Sequence, residues 1–376
     1  MTALDGLHIA DFSRILAGPM ATMLLADLGA DVVKIERPDG GDDTRSWGPP
    51  YAQDGTATYF LGVNRNKKSV TMDLATQTGR WRAQDLVADC GIVVENFRPG
   101  VMDRLGLGYD ELVKRRPDLI YCSISAFGSG DGAHLPGYDL IVQAVGGLMS
   151  ITGAPDGEPQ KVGVAVVDVI TGLFAALGIV SAVRHRERTG EGQRVEVDLL
   201  SCVLAALTNQ AAGYTAGGVV PGRMGNQHPS IAPYETLPTG EGELAVAVGN
   251  DKQFRDLCGV LDAQDLVDDS RFLSNTARVE NREVLRKELV AKLSRSDAGH
   301  WAKRLNEAGV PAGPVNDIAG AFDYARSLGL DPTVDIGGIS LTRNPLRLER
   351  TPVRYVSPPP RLQEDQGTSV PSDERN

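Results

Sequence analysis

Between His8 and Ser125 the sequence changes its hydrophobic period again and again, and this alternation restricts the fold more than any other feature. His8–Ser13, Asp31–Glu36, Ser69–Asp73, Ile92–Glu95 and Leu119–Ser125 read as short strands rich in branched apolar residues. Helical patterns lie between them. Pro19 opens one that runs through Leu28 and is closed by Gly29, and another spans Thr76–Ala88. Strands separated by helices pair in parallel through right-handed crossovers, and helices then cover both faces of the sheet. The expected fold class is therefore α/β, a Rossmann-like doubly wound parallel sheet.

The pattern continues with a helix over Asp139–Met149, a turn at Gly153–Gly157 and a strand-like run Val162–Val167. Asp168 follows, then a long helical stretch to about Arg188, a short strand at Glu196–Asp198 and a helix over Leu199–Tyr214. Beyond His228 the texture changes. A strand at Leu244–Val248, a helix at Gln253–Leu261, and charged amphipathic helices at Asn281–Leu293 and Ala298–Ala308 (the latter capped by Ser296) describe a smaller α+β domain. The expected organisation is a large Rossmann-like α/β domain over 1–214, a Gly/Pro-rich linker or lid over 215–228, a small α+β domain over 229–310, and a return to the large domain over 311–356. The tail 357–376, with three consecutive prolines and little apolar content, is expected to be extended or disordered.

Charge and composition exclude several classes. A net charge of −11 argues against a non-specific nucleic-acid or membrane binder, and an anionic ligand would need a local basic patch. No apolar run reaches the ~18 residues of a membrane span. The 4 cysteines are far apart and the 5 histidines are scattered, so neither gives metal-ligand spacing; the thiols fit a reducing, cytoplasmic setting. The first strand–helix turn, Phe12–Pro19, lacks the GxGxxG of a dinucleotide site, which counts against an NAD oxidoreductase.

Chemistry concentrates at a few positions. Asp168, between an apolar strand and an apolar helix, is either a helix cap or a carboxylate nucleophile, and a helix N-terminus favours its ionised form. Arg37, Arg104 and the cluster Arg65, Lys67 and Lys68 lie near strand ends, where arginines clamp phosphates, although loop cations are also commonly just solvated. The turn at Phe12–Pro19 can offer backbone N–H groups at a helix start. Gly222–Pro229 is a linker or a lid, and Asp139 can be the cap of its own helix.

Several long segments in fixed order, among them DFSRILAGPMATMLLADLGADVVKIERP, NRNKKSVTMDL, VVENFRPGVMDRLGLGYDEL, KVGVAVVDVITG, GRMGNQHP and AGVPAGPVND, resemble the class III CoA-transferases, the CaiB/BaiF family, over nearly the whole chain. The resemblance implies that Asp168 is the catalytic aspartate. It places Leu16 (through its backbone N–H), Tyr138, Gly225, Asn226 and His228 on the substrate and oxyanion side, and Ile15, Arg37, Met72, Asn96, Phe97 and Arg104 at CoA. It implies CoA thioesters as substrates with no permanently bound cofactor and no metal, small carboxylic acids as co-substrates, and an interlocked homodimer. The donor pattern is closest to succinyl-CoA-dependent members. An acyl-CoA racemase is the alternative, but racemases of this family carry histidine where this chain has Tyr138; a non-catalytic CoA-binding protein is a second alternative.

Overall fold

The computed structural model describes residues 2–362. Within them the contacts divide into two units, 2–148 with 161–219 and 331–362, and 149–160 with 220–330. The first unit is built on a six-stranded sheet: β1 (His8–Asp11), β2 (Asp31–Glu36), β3 (Lys67–Thr71), β4 (Gly91–Glu95), β5 (Ile120–Ser125) and β6 (Arg194–Asp198). Their order is β3-β2-β1-β4-β5-β6, and all pairs are parallel. Ile9 is flanked by Val32 and Ile92, so the register puts branched side chains in rows across the sheet.

Residues two apart share a face, and both faces are buried. Ile9, Val32, Ile92, Val94 and Ile120 point to one side, where α1 (Ala17–Asp27), α3 (Asp139–Val145), α4 (Val166–Thr189) and α5 (Leu199–Ala206) contribute Leu25, Val142, Ile179 and Val203. Ala10, Val93 and Tyr121 point to the other, against Ala83 and Val87 of α2 (Gln77–Cys90). Fully burying each such aliphatic side chain stabilises by ~1.5–3 kcal/mol. A small hairpin, β10 (Thr333–Ile336) with β11 (Ile339–Thr342), also belongs to this unit.

The second unit is an antiparallel sheet, β7 (Tyr234–Pro238), β8 (Glu243–Ala247) and β9 (Ala312–Pro314), under helices at Asp251–Val260, Arg282–Leu293 and Ala298–Glu307. Phe254, Leu257, Phe272, Leu289 and Trp301 form its core. The buried Arg278 is satisfied by the carbonyls of Ala232 and Phe272 and by Asp251, with Phe254 under its guanidinium. Because β9 pairs with β8, the chain stays in this unit to Leu330, beyond the expected return at 311.

Several local expectations are corrected. Val162–Val167 is not a strand; α4 starts at Val166, and the Val162 N–H is taken by the Gln143 side chain at 2.9 Å. The helices at 139–149 and 199–214 are each broken, at Gly146–Gly147 and at Leu207–Thr208, where Gly147 and Thr208 have positive φ. Asp297, not Ser296, caps Ala298–Glu307, accepting from His300 N–H at 2.8 Å. Arg65 and Lys67 are not a phosphate patch. Arg65 is buried on Asp27 (2.6 Å) and donates to the Thr342 carbonyl, while Lys67 is buried on Asp11 (3.1 Å). The start of the tail is extended but anchored: Asn66 holds the Val356 and Ser357 amides, Arg45 donates to the Pro360 carbonyl, and Pro359 and Pro360 are buried. The remainder of the expected tail, 363–376, lies outside the described residues.

Against the expectation of no such run, one helix among the described residues, α4, is long and apolar enough by length and composition to cross a membrane, because between Asp168 and Arg184 its polar side chains are Thr171 and Ser181. In this fold it packs on α1, α5, β5 and β6.

Candidate active site

In the order β3-β2-β1-β4-β5-β6 the connections leaving β1 and β4 run to opposite sides, which opens a crevice beyond the carboxyl ends of those two strands. The turn after β1 and the loop Asn96–Gly100 after β4 form its walls. Asn96 ties the walls together: its Oδ1 accepts the Arg14 N–H at 2.8 Å and its Nδ2 donates to the Arg14 carbonyl at 2.7 Å. The Arg14 guanidinium sits over the Phe97 ring, 4.9 Å from its centroid. Ile15 has φ +69°, a left-handed conformation that costs a β-branched residue on the order of 1–3 kcal/mol. Immediately afterwards α1 begins. Among the described residues the N–H groups of Leu16, Ala17 and Gly18 have no acceptor in the protein, so a helix N-terminus opens on the crevice. Gly18 permits this compact start, since a Cβ there would lie 2.2 Å from the Cβ of Ser13.

Helix α4 brings the carboxylate. Asp168 lies in its first turn and lines the same cleft as Ile15, Leu16, Asn96, Phe97 and Tyr138. The helix has no cap of its own; Ala165 occupies that position. Asp139 of α3 does the work instead. Its Oδ1 accepts the N–H of Val167 (2.8 Å) and of Asp168 (3.3 Å), and its Oδ2 accepts from Gln143 (2.6 Å). Asp139 is thus the cap of another helix rather than of α3. Gly172, one turn after Asp168, lets α4 cross α1 closely: a Cβ there would sit 2.8 Å from the Ala17 carbonyl oxygen.

These contacts set the electrostatics. Burial, and secondarily the Asp139 charge, push the Asp168 carboxyl up to about 7. The helix N-terminus pulls the other way, but it does not restore an ordinary carboxylate pKa here. Tyr59, packed in T-shaped contact with Trp47 and against the cluster of Leu16, Met23 and Val63, is pushed up to about 12 by burial and then by the charges of Asp168, Asp139 and Asp42. It therefore stays a neutral phenol. Under the opposite wall, burial pushes Glu95 up to about 7, and its Oε2 accepts the Phe97 N–H at 2.8 Å.

A second depression shares Arg14 and Phe97 with the cleft and is lined by Arg37, Met72, Leu74 and Leu105. Arg37 is paired with Asp43 at 2.7 Å. Arg104 is exposed on the short helix Val101–Arg104 and lines neither depression.

The profile of CoA-transferase family III matches residues 4–366. The chain belongs to this family. It is 43% identical to a succinate–glutarate CoA-transferase of Agrobacterium fabrum, over 96% of this chain and 94% of that protein. It is 42% identical to a succinyl-CoA:glutarate CoA-transferase of Mus musculus, over 96% and 84% respectively. The crystal structure of a CAIB/BAIF family protein from Brucella suis superposes with a TM-score of 0.88 at 44% identity, covering 96% of this chain and 97% of the other. The protein is an enzyme, a family III CoA-transferase, on an α/β fold of the CaiB/BaiF kind.

In this CoA-transferase the sheet unit alone gathers Asp168, Leu16, Ile15, Tyr138, Asn96 and Phe97 around one cleft, with Arg37 and Met72 in the adjoining depression. Gly225, Asn226 and His228 belong to the second unit. There Gly225 N–H donates to the Gly153 carbonyl, the Asn226 amide to Thr236 (2.7 Å), and the His228 Nδ1 accepts from the Ser230 N–H (3.1 Å). No histidine is among the residues lining the cleft. Sequence reasoning missed Tyr59 and underrated Asp139 and Arg14. Asp139 was visible as an acid at a helix start, but its partners are 28 and 29 residues away.

Proposed function

We propose that the enzyme transfers CoA from succinyl-CoA to a small free carboxylic acid, with a dicarboxylate such as glutarate as the first acceptor to try, through covalent intermediates on Asp168. The observation that carries this reading is the placement of a carboxylate on the first turn of α4, in one cleft with the unpartnered N–H groups that begin α1. The names of the relatives support the choice of donor and acceptor.

Ionised Asp168 attacks the acyl carbonyl, the C–S bond breaks, and a mixed anhydride and CoA thiolate result. The thiolate attacks the Asp168 carboxyl carbon, forming an aspartyl thioester and releasing the donor acid. The acceptor carboxylate attacks that thioester and expels the thiolate again. Attack of the thiolate on the acceptor acyl carbon then yields the new acyl-CoA and restores the carboxylate. Each attack puts negative charge on a carbonyl oxygen, which the Leu16 N–H receives. Ile15 and Phe97 flank the thioester end of CoA, and Arg37, Met72 and Arg104 serve its nucleotide part. Tyr138 bounds the acyl side, and the family resemblance gives Gly225, Asn226 and His228 a role toward the substrate.

The chemistry needs no metal and no bound cofactor. The enzyme works in the cytoplasm, away from nucleic acid and membranes. It works as a homodimer: Leu173, Phe174 and Leu177 of α4 are 50%, 42% and 61% exposed, an apolar stripe that a second copy would cover.

The test is a panel of acyl-CoA donors and free acids read by mass spectrometry in deuterated water. Formation of glutaryl-CoA from succinyl-CoA without deuterium at the α-carbon is the expected result. Rapid α-exchange with no transfer to any acid would replace this reading by the racemase.

A further inference from the structure

The turn Ser13–Leu16 is held from beneath by side chains that the reaction itself does not touch. Lys34 of β2 is fully buried; its Nζ donates to the Ser13 carbonyl at 2.7 Å and lies 2.9 Å from Asp42 Oδ2. Asp42 is buried too. It accepts from the Thr44 N–H (3.0 Å) and hydroxyl (2.8 Å), and both of its oxygens lie 3.3 Å from the Ile15 nitrogen, whose N–H they share. The Ser13 N–H goes to Asp11 at 2.9 Å, and Asn96 takes both backbone groups of Arg14. Every backbone N–H and C=O from Ser13 to Ile15, except the Ile15 carbonyl, is therefore anchored by a side chain. The first N–H left over is that of Leu16.

We propose that the Lys34–Asp42 pair and Asn96 are positioning residues, which fix the left-handed Ile15 turn so that the Leu16 N–H meets the oxyanion formed when Asp168 is acylated. This rests on the reading of Asp168 as the nucleophile. A left-handed β-branched residue persists only where its surroundings over-determine it, and here side chains from β1, from β2 and from the loops after β2 and β4 do so. A buried ion pair is weak as a source of stability, since apolar residues of equal volume often replace it without loss. A fixed donor, in contrast, has value for catalysis because it needs no reorganisation at the moment of charge development. The other charges near Lys34 are already engaged: Asp11 with Lys67, and Glu36 with Arg45. The sequence resemblance assigns Asn96 to CoA, yet both polar atoms of its amide are consumed by Arg14.

Two variants test this in the full-length protein. Lys34→Met/Asp42→Asn removes one charge of each sign, so no buried charge is stranded. Asn96→Ala removes a neutral side chain at a partly exposed position and decides the matter alone if the double variant does not fold. In each folded variant, kcat for CoA transfer should fall ~10- to 1,000-fold, the upper figure being the loss of a whole oxyanion donor. CoA affinity, measured by isothermal titration, should stay unchanged. Unaltered kcat, or a loss that appears only as weaker CoA binding, would overturn the positioning role. Asp168→Ala run alongside separates the two levels. If it retains turnover, the nucleophile assignment fails; if it is dead while the other variants keep full kcat, only the positioning proposal fails.

Discussion

Asp168 takes its charge late because it is poorly solvated and because Asp139 stands beside it. Only the ionised carboxylate attacks a thioester, so kcat/KM should rise with pH and level off above about 7, where the carboxyl is deprotonated. Burial pushes the Glu95 carboxyl up to about 7 as well, beneath Phe97, so its deprotonation would give the same profile. Asp139→Asn separates them. The asparagine oxygen can still accept the Val167 N–H, but the charge is gone, so the midpoint should move to lower pH. A pH–rate series on the wild type and this variant checks it; an unmoved midpoint would assign the titration elsewhere. These residue-scale facts were only partly legible. The sequence marked Asp168 as an acid at a helix start, and α4 does start there, but whether burial or the helix end controls its pKa depends on Asp139, which reaches it through the fold. The same limit applies to Arg65 and Lys67: their charges were plain, but their buried partners Asp27 and Asp11 lie 38 and 56 residues away.

The elements of the site are set by how closely α4 crosses α1. The close approach falls at Gly172, where an added methyl would meet the Ala17 backbone oxygen at 2.8 Å and the Met20 side chain at 3.1 Å. A backbone carbonyl at a helix start cannot give way as a flexible side chain can. Gly172→Ala should therefore push the start of α4 from Leu16 and lower kcat by ~10- to 100-fold. The fold should survive, since overpacking of this kind costs ~1–3 kcal/mol. Steady-state kinetics with a thermal melt checks this; full activity at unchanged stability would show that the crossing is looser than it looks. At this scale the sequence was most informative where a short run of branched residues is bounded by charged ones. Asp31–Glu36 has the limits expected from its pattern. It misled at Val162–Val167, where an apolar run reads equally as a strand or as the approach to a helix, and the choice is made by Gln143 and Asp139 from α3.

For the molecule as a whole, the alternation of strands and helices sufficed for a parallel doubly wound sheet, whereas the order β3-β2-β1-β4-β5-β6, and with it the crevice, is a property of long-range pairing that no local pattern records. The exposed apolar stripe on α4 belongs to this scale as well. Sedimentation at nanomolar concentration should find a dimer, and a stable, active monomer there would remove the second copy from the mechanism. The aspartyl route itself is most directly tested by incubating the protein with succinyl-CoA, quenching with hydroxylamine and mapping the peptides by mass spectrometry. A hydroxamate on Asp168 that requires succinyl-CoA and is missing from Asp168→Asn is the expected result; a hydroxamate on a different residue, or full turnover in Asp168→Asn, would contradict it.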